Sequence, residues 1–98
     1  MMLEAELQAK VLDLCKKYRS RVFHSTDSRK DIGAGYPDLT IVGKSLLMAE
    51  LKQQYTNLSV PQTSWKYALK AAGVAYYLWH PSDLTDGIIE IMLKSIAV

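Results

Sequence analysis

Two acids and a lysine, Asp38, Glu50 and Lys52, have the residue types and the spacing to do chemistry together. Residues 38–42 form a β-branched run and residues 46–52 form a second apolar run that ends in Glu50 and Lys52. The three residues between the runs, glycine, lysine and serine, have turn composition. The pattern therefore predicts a β-hairpin whose open end carries two carboxylates and one ammonium group.

The predicted register brings the two acids face to face. With a three-residue turn, Val42 pairs with Leu46, and pairing outward from there places Asp38 opposite Glu50. Directly opposite residues have Cβ atoms about 4.5–5.5 Å apart, and like charges at that distance destabilise a sheet. A divalent cation with carboxylate ligands would relieve the repulsion, so the spacing predicts a site for a hard metal ion.

Two other interpretations of this hairpin are possible. A two-residue turn would shift the pairing by one position and place Leu51 opposite Asp38, because each one-residue slip turns every side chain to the other face. The alternation of apolar residues favours the three-residue turn. In the second interpretation, Asp38, Glu50 and Lys52 form only a solvated cluster of ion pairs on the surface.

Composition limits the fold and the compartment. With 98 residues and 49% hydrophobic residues, the chain is expected to form one domain, residues 1–98, with a small core. The formal charge of +2 is too small to indicate nucleic-acid binding by itself. One cysteine excludes an internal disulfide. The sequence shows neither a charged leader nor an apolar run of membrane-spanning length, so a soluble protein of the cytoplasm is expected.

The first element is predicted to be a helix with two different N-terminal glutamates. Glu6 lies on a flank that faces solvent and is expected to pair with Lys10 four residues later. Glu4 lies on the opposite flank at the margin of the core and has no such partner, which makes it the better candidate for a site. The apolar stripe that defines the helix consists of Leu3, Leu7, Val11, Leu14 and Tyr18.

The remaining elements predict an α/β fold. Residues 21–25 form a short strand, residues 26–37 a long polar loop, and residues 74–79 another strand. Ser59 with glutamine three positions later is a capping box that begins a helix running to residue 72. Thr85 or Asp86 is expected to cap a final helix. The order αβββαβ plus a C-terminal helix indicates a mixed β-sheet flanked by helices.

This order and its motifs resemble the PD-(D/E)xK nuclease superfamily, in which one strand starts with Pro-Asp and the next contains Glu-x-Lys. The finer pattern resembles the VRR-type nuclease (VRR-NUC) branch, in its stand-alone single-domain form with a restriction-endonuclease-like core. The matching segments are Glu4–Gln8, Gly35–Leu39, Ala49–Lys52, Pro61 and Gln62 with Trp65, and Trp79–Leu84.

The resemblance implies a metal-dependent reaction. Glu4, Asp38 and Glu50 would hold one or two Mg²⁺ ions, for which Mn²⁺ would substitute, and the backbone carbonyl of Leu51 would be a further ligand. Lys52 would orient or polarise the attacking water, or stabilise negative charge at the scissile phosphate.

The resemblance also implies supporting and DNA-contacting residues. Gln62 would support the catalytic site from its helix, although from sequence alone it could be only the capping residue. Arg29 and Lys30 in the long loop are expected to contact phosphates, and Lys44 at the hairpin turn is a third candidate for nucleic-acid binding.

The expected activity is that of an endodeoxyribonuclease that hydrolyses phosphodiester bonds in branched DNA, as a Holliday-junction resolvase does. A homodimer is expected, because the core is small and because Tyr76, Tyr77, Trp79 and the Ile-rich tail supply more apolar surface than one small core requires. Two alternatives are a catalytically inactive nucleic-acid-binding module and a restriction-type endonuclease. The latter normally needs extra elements to read base edges.

Overall fold

The computed structural model describes residues 1–25 and 33–98, and its centre is a mixed four-stranded sheet in the order β1-β2-β3-β4. The first three strands are antiparallel neighbours, whereas β4 runs parallel to β3. Parallel neighbours need a crossover connection, and helix α2 supplies it. The strands are β1 (Arg21–His24), β2 (Leu39–Val42), β3 (Leu46–Leu51) and β4 (Ala75–Trp79), and the helices are α1 (Glu4–Lys17), α2 (Val60–Ala71), α3 (Pro81–Thr85) and α4 (Ile88–Ser95).

The hydrophobic core lies on the face of the sheet that is covered by α1, α3 and α4. Alternate side chains of β2 and β3 point to this face, and α1 and α4 each add a buried stripe. Helix α2 lies on the other face against β4. The α/β architecture with a mixed sheet between helices is therefore confirmed. The core residues are Leu7, Val11, Cys15, Leu39, Ile41, Leu47, Ala49, Leu51, Trp79, Ile89, Leu93 and Ile96.

The hairpin between β2 and β3 has the predicted three-residue turn. Val42 pairs with Leu46 and Leu39 pairs with Ala49, so the register is the one that the apolar alternation favoured. The turn is anchored to the end of α4, since the backbone N–H of Lys44 donates to the Ile96 carbonyl over 2.7 Å. A Cβ at Gly43 would collide with that carbonyl, so only glycine allows this approach.

The predicted capping box of α2 is confirmed. The hydroxyl of Ser59 accepts from the backbone N–H of Gln62, and the side chain of Gln62 accepts from the backbone N–H of Ser59 over 2.8 Å. The helix ends at Ala71, and Gly73 follows with a φ of +84°. These features depend on residues close in sequence, which explains why they could be predicted.

The expected cap of the final helix is wrong. Thr85 ends the short helix α3, Asp86 follows as its C-terminal cap, and α4 begins after Gly87. Asp83 stabilises α3, because its carboxylate accepts from the backbone N–H of His80 over 2.8 Å. Gly87 separates the two helices with a φ of +78°, a conformation that favours glycine.

The apolar surplus expected around β4 is only partly accessible, because Ile88 and Ile91 are exposed whereas other members are buried. Tyr76 and Trp79 are 8% and 2% exposed, and Ile89 and Ile96 are buried in the same chain. One core therefore absorbs most of the residues that were expected to remain for a subunit contact. In the described part of the chain, no helix is long and apolar enough to cross a membrane.

Candidate metal centre

The two acids of the hairpin meet at the end of the sheet, where β2 begins and β3 ends. Continuing the pairing by one residue beyond Leu39 and Ala49 places Asp38 opposite Glu50. The Asp38 carboxylate is held in place because its Oδ2 accepts from the backbone N–H of Leu51 over 2.8 Å. Both acidic side chains point to the face of the sheet that carries α2.

Glu50 is a buried acid with only one of its oxygens satisfied. Its side chain is 2% exposed, and its Oε2 accepts from Nε2 of Gln62 over 3.1 Å. Its Oε1 has no hydrogen-bond donor among the described residues. A buried polar atom without a partner is costly, so this oxygen is suited to a ligand from outside the chain.

Burial is the main reason why the pKa of Glu50 rises to about 9. The neighbouring carboxylate of Asp38 raises this pKa further, and Glu4 adds a small effect in the same direction. Lys52 opposes the rise but does not cancel it. Without a cation, the Glu50 carboxyl group therefore holds a proton near neutral pH.

Gln62 joins the helix cap to the acid pair. Its side-chain oxygen accepts from the backbone of Ser59, and its side-chain nitrogen donates to Glu50. The two interpretations that the sequence left open for Gln62 are thus compatible, because opposite ends of one amide make the two contacts. The cap fixes the amide, and the amide orients the carboxylate of Glu50.

The loop before Asp38 is locked against the start of α2. Gly35 has a φ of +85°, and a Cβ there would collide with the backbone of Pro61. The indole Nε1 of Trp65 donates to the carbonyl of Ala34 over 3.0 Å. The rings of Tyr36 and Trp65 meet edge to face with centroids 4.9 Å apart. Residues 34–36 are therefore packed closely against the start of α2, next to the acid pair.

Ser25 fixes the same loop from the side of β1. Its hydroxyl donates to the Pro37 carbonyl over 2.6 Å, and its backbone N–H donates to the Asp38 carbonyl over 2.9 Å. No sequence signal indicated this role, because a serine after a strand is a common loop residue. Only the pairing of β1 with β2 brings Ser25 to the site.

Glu4 and Lys52 lie on the same side of the molecule as the acid pair. Partial burial raises the pKa of Glu4, the charge of Asp38 raises it further, and Lys52 lowers it. Glu4 lies in the first turn of α1. The effects of Asp38 and Lys52 on its pKa indicate that its carboxylate is near both charges. Within residues 1–25 and 33–98, no three acidic, histidine or cysteine side chains already form a metal-binding cluster.

Tyr76 is a neighbour of the site that the sequence placed only in strand packing. Burial raises its pKa, and the charges of Glu50 and Asp38 raise it further. Tyr76 lies on β4 opposite Met48 of β3. Met48 precedes Glu50 by two residues, so the two side chains share one face of the sheet. The phenol therefore stays neutral beside the acids and forms part of the wall behind them.

Lys44, the one candidate DNA contact in the described part of the chain, does not lie at the acid pair. Lys44 is exposed at the far end of the hairpin, about 13 Å or more from Asp38 because four strand residues intervene. Arg29 and Lys30 lie outside the described residues. The peptide of Leu51 ends β3 beside Asp38, where its carbonyl was expected to join the metal ligands.

Comparison with known proteins supports the fold. A solved structure named a VRR_NUC domain protein matches this chain with a TM-score of 0.70 and a probability of 1.00. The match covers 93% of this chain and 85% of that chain, at 22% sequence identity. Neither a family model nor a curated protein matches the sequence. The two proteins thus share the VRR-NUC fold, whereas the chemistry of this chain depends on its own residues.

Proposed function

We propose that this protein is a Mg²⁺-dependent endodeoxyribonuclease. The observation that carries the proposal is the buried Glu50, whose Oε1 has no donor in the described structure and whose side chain lies near Asp38. An acid pair of this kind is unfavourable unless a proton or a cation lies between the carboxylates. The VRR-NUC fold of the solved neighbour supports a nuclease in particular.

The residues present fit a hard divalent ion. Asp38 and Glu50 would hold it, with the carbonyl of Leu51 and the carboxylate of Glu4 as further oxygen ligands. Mg²⁺ keeps several waters and needs only one or two carboxylates, so an incomplete protein shell suits it, and Mn²⁺ would substitute. When bound, the ion supplies positive charge that stabilises the transition state and lowers the pKa of a coordinated water.

The other residues orient and stabilise. Lys52 places an ammonium group at the end of β3, where it would stabilise the charge that develops on the scissile phosphate. Gln62 holds the carboxylate of Glu50 in one orientation through its 3.1 Å hydrogen bond. Ser25 and Gly35 fix the loop that presents Asp38. Such fixed geometry reduces the reorganisation needed during the reaction.

We extend the proposal to branched DNA and a homodimer. A domain of this size leaves little room for elements that read base edges, so contacts to phosphates and to DNA shape are favoured. A two-fold dimer would present two identical sites, as the paired cuts of a four-way junction require. Phe23, Val42 and Leu46 form an exposed apolar patch on one face of the sheet, which suits a contact between two copies.

The test is a cleavage panel with Mg²⁺ or Mn²⁺ on linear duplex, nicked, flap, single-stranded and four-way-junction DNA. The proposal predicts no cleavage in EDTA, cleavage with either metal, and paired symmetric nicks in the junction. Metal-independent cleavage would refute the metal requirement, and no cleavage of any substrate would refute the nuclease. Equal cutting of linear duplex and junction would refute the preference for branched DNA alone.

A further inference from the structure

An open groove lies beside the acid pair, between α2 and the loop that precedes β2. Its volume is about 400 Å³. The groove shares its walls with the metal centre, because the same loop and helix also present Asp38 and Gln62. The residues that line it are Ala34, Pro61, Ser64, Trp65 and Ala68.

The side chains that line the groove are mostly apolar. The only polar atom of Trp65, its Nε1, already donates to the carbonyl of Ala34, so the indole offers carbon surface alone. Tyr36 meets Trp65 edge to face and holds the ring in place. Ser64 contributes the one side-chain hydroxyl. A planar ring could therefore bind here by stacking and van der Waals contact, with little hydrogen-bond selectivity.

The groove lies close to the acid pair along the axis of α2. Gln62 contacts Glu50 over 3.1 Å, and Trp65 and Ala68 follow it on the same helix. At 1.5 Å per residue, they lie about 4.5 and about 9 Å further along the axis. A strand with a phosphate at Glu50 would thus bring a neighbouring base to Trp65.

We propose that this groove binds one unpaired, unstacked nucleobase of the strand that is cut. The inference rests on the proposed nuclease function and specifies its substrate. Bases inside an intact duplex are stacked on both faces and cannot enter, whereas nucleotides at a branch point, flap or single-stranded gap can. The groove therefore gives this chain a physical means to prefer discontinuous DNA without reading its sequence.

The probe is a short single-stranded oligonucleotide with one 2-aminopurine, titrated in EDTA so that binding is separated from cleavage. Stacking on Trp65 should quench the probe, and Ser64→Leu, which fills the groove, should weaken binding about tenfold. Trp65→Phe should retain part of the affinity that Trp65→Leu loses. Tyr67→Leu is the matched control, because Tyr67 is an exposed aromatic residue of the same helix that does not line the groove.

The outcomes separate the groove from the nuclease. If a folded Ser64→Leu protein binds the oligonucleotide and cleaves flap DNA as well as the active wild type does, the groove is overturned. The proposed nuclease activity is then unaffected. Quenching that Ser64→Leu abolishes would support the groove even if no DNA is cut, in which case only the nuclease fails. Absence of oligonucleotide binding by the wild type, or an equal loss in Tyr67→Leu, would also overturn the groove.

Discussion

At the scale of single residues, Glu50 shows how strongly the site depends on a bound cation or proton. One of its oxygens is satisfied by Gln62, the other has no donor in the described structure, and the side chain of Asp38 is nearby. Two anionic carboxylates in this position would repel each other across a buried space. A proton relieves that repulsion at low pH, and a divalent ion would relieve it at higher pH. The two are therefore expected to compete.

We expect this competition to appear in the metal-free stability. The pKa of Glu50 is about 9 in the folded chain, compared with an ordinary value of 4.5. Between these two pH values the unfolded chain therefore binds fewer protons than the folded chain. Stability is therefore lost as pH rises through this range. Thermal unfolding in EDTA should show that the stability of the wild type falls relative to that of Glu50→Gln as pH rises from about 5 to about 9. A constant difference between the two proteins over this range would contradict the raised pKa.

At the scale of elements, the site depends on contacts between segments that are distant in sequence. The loop before β2 is held by Ser25 from one side and by the start of α2 from the other. Gly35 makes the second contact possible, because its backbone approaches Pro61 too closely for any side chain. The position of Asp38 is thus a property of three elements together.

Gly35→Ala should be more damaging than Gly73→Ala. Both glycines have a φ near +85°, but a Cβ meets the backbone of Pro61 at Gly35 and nothing within 4 Å at Gly73. Urea unfolding should show a loss of about 1 kcal/mol for Gly73→Ala from backbone strain alone. Gly35→Ala should lose about 3 kcal/mol or more and most of the cleavage activity. Equal losses of stability in Gly35→Ala and Gly73→Ala would show that the backbone at Gly35 is not packed closely against α2.

The start of α1 provides a second comparison, between Glu4 and Glu6. Glu4 senses the charges of Asp38 and Lys52, so Glu4→Ala should raise the Mg²⁺ concentration needed for half-maximal cleavage. Glu6 instead accepts from the backbone N–H of Leu3 over 3.2 Å. Glu6→Ala should therefore cost about 0.5–1 kcal/mol of stability without changing the metal requirement. Metal titrations that show the larger effect for Glu6→Ala would contradict this assignment.

The elements also show which features the sequence could reveal. The hairpin register and the cap of α2 follow from alternation and from residues three positions apart, so they were predicted correctly. The hydrogen bond from Gln62 to Glu50 and the role of Ser25 arise only when separate elements meet. Helix α3, with five residues, is too short to show a periodic pattern. The expected pair of Glu6 with Lys10 is not found among the described residues, because Glu6 caps its own helix.

At the scale of the whole molecule, the apolar patch on the α2 face of the sheet supports the proposed dimer. Tyr76 and Trp79, two of the residues that were expected to supply that contact, are buried within the chain. Phe23, 64% exposed, shares a face with Val42 and Leu46 through the β1–β2–β3 pairing. Burying this patch against a second copy would enlarge a small core.

Light scattering at micromolar concentration should show a species of twice the 11.0 kDa chain mass. Phe23→Glu should convert it to monomer, because a charge at the centre of an apolar contact is costly. Ile91→Glu is the control, since Ile91 is exposed on α4, away from the patch. A wild type of 11.0 kDa, or dissociation by Ile91→Glu alone, would contradict this interface.

The most direct test of the metal centre is the initial rate of Mg²⁺-dependent DNA cleavage by Asp38→Asn and Glu50→Gln. Each change removes an expected metal ligand and no phosphate contact. Each should therefore lower the rate at least about a hundredfold, or roughly 2.7 kcal/mol, with DNA binding in EDTA unchanged or tighter. Glu90→Gln, which loses only its contacts with Lys17 and Tyr18 far from the acid pair, should cut at the wild-type rate. If either hairpin variant kept more than a tenth of wild-type cleavage, the assignment of this acid pair as the metal centre would be wrong.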